Sequence, residues 1–200
     1  LDTYGIVQTL MADFPYFLPN TYDQYYLYPE YKASHLDPDF TRADEVMAGR
    51  EKRVFKECEE VIREGKLGDR FDAISDAHAE MMIKVAEAIA YNKNDRHILI
   101  VENNGAIANM QDDAMVEVVC ELGANGPRPM SVGNIPQFNL GLLVNQVSCE
   151  KLIVDAYFEN SYQKALEAFT LNRLINDAKK ARKVLDALIE ANRGMWPELR

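Results

Sequence analysis

Apolar residues recur three and four positions apart over most of this 200-residue chain, and one interval breaks that period. From Leu1 to Phe14 the helical spacing falls on Ile6, Val7, Leu10, Met11 and Phe14. It returns from Thr41 on Val46, Met47, Val54, Phe55, Cys58, Val61 and Ile62. That pattern predicts a long helix with a buried stripe, capped by Thr41 with Asp44 and ended by Gly65 and Gly68. A second long helix is predicted from about Asp72 to Tyr91, with Ile74, Ala77, Met81, Met82, Val85 and Ile89 inward. The exception is His97 to Glu102 (HILIVE), a short β-branched run that reads as a strand. Met115 to Leu122 reads as a second strand and Met130 to Val132 as a third, with Gly123, Gly126, Pro127 and Pro129 as loop between them. Asn134 and Pro136, as cap and first-turn proline, open a helix to about Phe158. Ser161 opens another to about Leu171, and Asn176 or Asp177 opens the last, closed by Gly194 and Pro197. The predicted class is α+β: mostly long helices with a small mixed or antiparallel sheet, as one domain over residues 1–200 with no internal repeat or linker.

Between the first two helices lies the segment richest in chemistry. Leu18-Pro19-Asn20-Thr21-Tyr22 runs on to Pro29 with Tyr22, Tyr25, Tyr26 and Tyr28 inside it. Pro19 disfavours helix at Leu18, and Pro29 stops a helix begun after Tyr22. Thr21 can cap the short helix between them, on which Tyr22, Tyr25 and Tyr26 share a face. The rings can be a packed cluster, or one phenol can be chemical. Glu30 to Phe40 reads as loop. Arg42 falls in the first turn of the long helix, where free N–H groups favour anions and a guanidinium adds paired donors. Asn103 and Asn104 follow the first strand in a turn signal; they can hold sugar hydroxyls or only satisfy the turn.

Composition removes several classes of function. With 48% hydrophobic and 27% charged residues, the chain can bury a core and is not of disordered type. A net charge of −10 opposes binding to nucleic acid or to anionic membranes, although a local cation cluster can still take a phosphorylated small molecule. No apolar run has the length of a membrane span and no signal peptide opens the chain. Cys58, Cys120 and Cys149 form no CxxC pair, so neither a disulfide framework nor a zinc knuckle is expected, and a reducing cytoplasm fits. His35, His78 and His97 make no helical ligand pair. No GxGxxG and no P-loop occurs.

The stretches LPNTYDQYYLYP, TRADEVMAGRE, IVENNGAIANM, VGNIPQF and IEANRGMWPEL resemble, in colinear order, the C-terminal half of glycoside hydrolase family 4. They are most similar to its 6-phospho-α-glucosidases, which act on maltose 6'-phosphate. The resemblance implies a substrate-covering domain like the second domain of lactate and malate dehydrogenases. It implies catalysis with NAD and Mn²⁺: oxidation at C3 of the sugar, proton removal at C2, elimination, water addition and re-reduction. Such NAD-dependent enzymes are an exception among glycosidases, most of which use a pair of carboxylates. The resemblance places the C2 base on Tyr22 and a sugar-phosphate contact on Arg42; Asn20, Asn103 and Asn104 are candidate substrate contacts by residue type and position alone. A phenol, with its usual pKa of about 10, serves as a base near neutrality only beside positive charge.

The same resemblance puts the nucleotide-binding Rossmann domain, the metal ligands and a catalytic aspartate N-terminal to these residues, so no cofactor or metal residue is expected within them. Val119-Cys120 departs from the family, which commonly has proline before the cysteine. The implied partners are a phosphorylated disaccharide and further copies of the chain, as dimer or tetramer. Two other readings stand beside this one: a truncated, non-catalytic piece that only folds, oligomerises or binds a sugar phosphate, and the C-terminal domain of a 2-hydroxy-acid dehydrogenase.

Overall fold

The structure, a computed structural model, describes residues 3–14, 22–66, 77–175 and 177–200. Contacts group into two compact units, Leu1–Ser75 and Asp76–Arg200. The sequence reading draws no boundary there.

The first unit is helical. Helix α1 spans Thr3–Asp13, α2 Asp23–Leu27, α3 Pro29–Ser34 and α4 Arg42–Glu64. Leu10 anchors α1 at 2% exposure; the side chains of Ile6 and Val7 lie outside those described. Thr21 also lies outside the described residues, and the N-cap of α2 is Tyr22, which makes no side-chain cap hydrogen bond. The segment read as loop from Glu30 contains α3, and the reason is Pro29. Its fixed φ suits the first helical position, where a missing N–H costs nothing. So Pro29 ends α2 and begins α3. Helix α4 has the caps its sequence announces. Thr41 accepts from the Asp44 N–H, the Asp44 carboxylate accepts from the Thr41 N–H, and Gly65 closes the helix at φ +67°. Its expected burial fails: Met47, Phe55 and Ile62 are 75%, 61% and 81% exposed. An amphipathic pattern states that a face suits burial and does not say what covers it.

The second unit begins with α5 (Ala77–Ala90), continues through strands β1 (Asp95–Glu102), β2 (Met115–Gly123) and β3 (Gly126–Pro129), and ends with α6 (Gln137–Glu159), α7 (Tyr162–Leu171) and α8 (Ala178–Ala191). Residues 72–76 of the second predicted helix lie outside those described. Met81 and Met82 are exposed rather than inward. The sheet is antiparallel in the order β1-β2-β3. The third strand sits earlier than expected, on the two prolines read as loop. The Met130 N–H donates to the Val119 carbonyl at 2.9 Å, so even-numbered residues of β3 bond to β2. Pro127 and Pro129 then turn their nitrogens outward, and an edge strand tolerates that.

One sheet face is buried. Val116, Val118 and Cys120 join Ala106, Ile107, Met110, Ala114 and Val147, with Leu99, Val101, Ile135 and Leu140 packed against them. A second cluster, around Ala156, Ala165 and Leu185, holds α6, α7 and α8 together. Ser161 and Asp177 cap α7 and α8 with bonds from Lys164 and Lys180. Helix α6 differs from its expectation. Its N-cap is Pro136, with no side-chain cap, and Asn134 does not fill that role. Asn109 steadies this start instead: its Oδ1 accepts from the Ile135 N–H and its Nδ2 donates to the Ile135 carbonyl, both at 3.0 Å.

Candidate functional site

Tyr22 and Arg42 both lie in the first unit and both face solvent. Tyr22 is 68% exposed, at the turn where its carbonyl accepts from the Tyr25 N–H at 3.0 Å. Its ring stacks on Tyr25 with centroids 6.4 Å apart, and the Lys32 ammonium lies 5.0 Å from the Tyr25 centroid. A cation–aromatic column thus sits behind Tyr22, while its own ring stays open to solvent. Tyr28 is tied off, its hydroxyl donating to Asp13 at 3.2 Å. Burial first, and then that carboxylate, raise its pKa.

Arg42 is the first residue of α4 and projects from a terminus held by Thr41 and Asp44. The Thr41 hydroxyl and then its N–H hold the Asp44 carboxyl below the usual range. Arg42 Nη1 meets Glu45 at 2.5 Å. Its pKa is raised chiefly by that hydrogen bond and the Glu45 charge; the smallest contribution comes from Tyr22, which lies in the same neighbourhood. Arg42, Glu45, Val46, Gly49 and Arg53 line a polar groove of about 550 Å³. Tyr22 is not one of its described lining residues. A Cβ at Gly49 would meet nothing within 4 Å, so the groove is open there.

Glu45 is a weak obstacle to a phosphate. The pair is exposed on both sides, where such bridges contribute little. An arriving dianion competes for the guanidinium with two oxygens per contact. Gly49 and Arg53 were not singled out in the sequence, though their signal was present: seven and eleven positions after Arg42 fall on one helix face.

The three asparagines fare differently. Asn20 lies outside the described residues. Asn103 is fully buried. Its Nδ2 donates to the carbonyls of Ile107, Met110 and Gln111 at 3.1, 3.2 and 3.1 Å, and its Oδ1 accepts from the Ile107 N–H at 2.7 Å. The amide is wholly engaged in the loop, the second of the two roles its position allows. Asn104, at φ 40°, is exposed and donates to Glu102 at 3.2 Å.

No metal centre forms among the described residues: no group of three or more His, Cys, Asp or Glu is placed to hold an ion. Cys120 and Cys149 are buried, and burial pushes both thiols up, away from the thiolate a metal needs. An antiparallel sheet also lacks the parallel strand–turn–helix that cradles a dinucleotide. No described helix is long and apolar enough to cross a membrane.

Known proteins are similar to this chain in sequence and in fold. Residues 4–175 match the model of the Family 4 glycosyl hydrolase C-terminal domain. The chain is 48% identical over 198 residues to the maltose-6'-phosphate glucosidase of Bacillus subtilis (strain 168), covering 99% of this chain and 44% of that protein. It is 47% identical over 199 residues to the maltose-6'-phosphate glucosidase of Fusobacterium mortiferum, covering 100% and 45%. The 6-phospho-β-glucosidase of Thermotoga maritima is more distant, at 28% over 175 residues, covering 87% and 41%. The chain thus spans less than half the length of these relatives. A crystal structure of a 6-phospho-α-glucosidase from gut microorganisms, in complex with NAD and Mn²⁺, superposes at TM-score 0.91 with 81% identity, covering 100% of this chain and 46% of that one. A second, with NAD and glucose-6-phosphate, superposes at 0.89 with 44% identity, covering 99% and 45%.

Proposed function

Since this chain belongs to family 4 of the glycosyl hydrolases, we propose that it is the C-terminal, substrate-covering part of a 6-phospho-α-glucosidase of the maltose 6'-phosphate type. The observation that supports this reading is that Tyr22 and Arg42, both exposed and both in the first compact unit, present a phenol and a guanidinium to solvent beside an open polar groove. The α linkage rests on names: relatives near half identity are α-glucosidases, and the β-glucosidase stands much lower.

In this reading Arg42 grips the sugar 6-phosphate, and the groove beside it admits the phosphate to the N-terminal turn of α4. Arg53, further along that groove, adds positive charge. Tyr22 takes the proton from C2 of the glucosyl ring. Asn103 shapes the loop after β1 and touches no sugar. In this reading NAD and Mn²⁺ are bound mainly by the portion of the longer relatives that this chain does not span. We read the exposed face of α4 as a surface such a portion would cover, and the isolated chain as inactive. Three free cysteines agree with a reducing cytoplasm.

The test is hydrolysis of p-nitrophenyl α-glucoside 6-phosphate with NAD and Mn²⁺. It is run on this chain alone and on this chain fused to the N-terminal remainder of the 81%-identical enzyme. Turnover is expected from the fusion only, falling by roughly 10²- to 10⁴-fold in Tyr22→Phe, the range for losing a general base. A fusion whose rate is indifferent to Tyr22→Phe overturns the assignment.

A further inference from the structure

Lys32 is only 9% exposed, and lysines are almost never buried unless a partner charge meets them. This one makes no ion pair among the described residues; its ammonium lies 5.0 Å from the centroid of the Tyr25 ring. The Asp13 carboxylate is taken up by the Tyr28 hydroxyl. Drawing an ammonium out of water is unfavourable, and a ring face offsets more of that loss the drier the site. The contact is built locally. Pro29 ends α2 and begins α3, and the Lys32 N–H donates to the Tyr28 carbonyl at 3.0 Å in the first turn of α3. That joint brings Lys32 over a ring seven positions earlier in the chain. Tyr22 stacks on the same ring, with planes 27° from parallel. The first unit's own side chains supply this burial, and any covering chain can only deepen it.

We propose that Lys32 is a positioning residue: it holds the Tyr25 ring, and through that ring it sets the direction in which the Tyr22 phenol points. An exposed side chain keeps its rotamer freedom unless a neighbour removes it, and a reacting group gains rate by being held in line. A ring fixed from behind by a buried cation supplies that restraint and leaves the hydroxyl open to substrate. The catalytic part of the proposal rests on the reading of Tyr22 as the C2 base. The restraint on the rings does not.

NMR on the full chain tests the restraint. Ring-to-ring NOEs between Tyr22 and Tyr25 are expected in the wild type and lost in Lys32→Met. That change removes the charge and keeps an apolar stem, so the urea midpoint should hold or rise. In the fusion enzyme, Lys32→Met should lower kcat roughly 10- to 100-fold with KM unchanged, the size expected for misplacing a reacting group. Tyr25→Leu should do the same, and the two together should lose no more than one alone, since both act through one ring. NOEs that survive Lys32→Met, or a kcat indifferent to it, overturn the proposal and leave a lysine that only packs its stem. A urea midpoint that falls with the activity overturns it too, as do losses that add. Tyr22→Phe separates this proposal from the reading beneath it. If that fusion keeps its rate, the base assignment fails and the catalytic role of Lys32 falls with it, while the NOEs still decide whether Lys32 holds the rings.

Discussion

The loop from Asn103 to Met110 and the first turns of α4 are both rich in polar groups, and the molecule uses them in opposite ways. Asn103 turns inward and bonds four backbone groups of its own loop. Arg42 turns outward, and among the described residues its ion-pair partner is an exposed glutamate on the same helix. The first arrangement makes a rigid corner with nothing left for a ligand. The second leaves a charge that a ligand can claim. Polar motif residues thus divide by where their bonds end, and the motif alone does not reveal which kind it is.

The contrast breaks most visibly at Asn103. Replacing it with alanine leaves the buried Met110 carbonyl and Ile107 N–H without their side-chain partner and removes a second bond from the Ile107 and Gln111 carbonyls, and should cost about 3 kcal/mol in urea unfolding. A loss under about 1 kcal/mol would mean that water reaches the loop and that the corner is not closed. Arg42→Ala should do the reverse. Stability should hold, while KM of the fusion enzyme for the phosphorylated substrate rises about 10- to 100-fold, as expected for losing charged hydrogen bonds. A matching loss on the unphosphorylated glucoside would deny that the phosphate is what it binds. Smaller still is the cap that holds Arg42 in place: Thr41→Ala should cost about 1 kcal/mol. That last effect carries a pH signature. The Asp44 carboxyl is held below its usual value of 3.8, so its share of the capping is complete above that pH. It is lost as the pH falls through the lower, folded value. The gap between wild type and Thr41→Ala should therefore narrow in acid; a gap constant from pH 7 to pH 2 would remove Asp44 from the account.

Features coded by neighbouring residues were legible. Thr41 with Asp44, Gly65, Ser161 and Asp177 all start or stop helices where local chemistry says they should. So does the HILIVE strand. Three things were hidden, each decided by something distant. Pro127 and Pro129 entered a strand because β3 is an edge, and being an edge is a property of the whole sheet. Met47, Phe55 and Ile62 read as core, because helical period reports a preference for cover without supplying it. Asn103 allowed two roles until the carbonyls of Ile107, Met110 and Gln111 were seen around it. For the candidate site, residue types pointed to Tyr22 and Arg42 through family likeness; their nearness needed coordinates, with most of the tyrosine segment's start lying outside the described residues.

The double hydrogen bond from Asn109 to Ile135 makes α6 a helix whose beginning is specified from elsewhere. It reaches across 26 positions of chain, and Pro136 offers no side-chain cap to replace it. A peptide cut out as residues 134–159 would lack its own start signal and should fray from that end. During folding, the first turn of α6 cannot settle until the sheet has brought Asn109 round to meet it. The boundary of this helix is in effect written in the loop between β1 and β2, so the loop and the helix must be transplanted together or not at all.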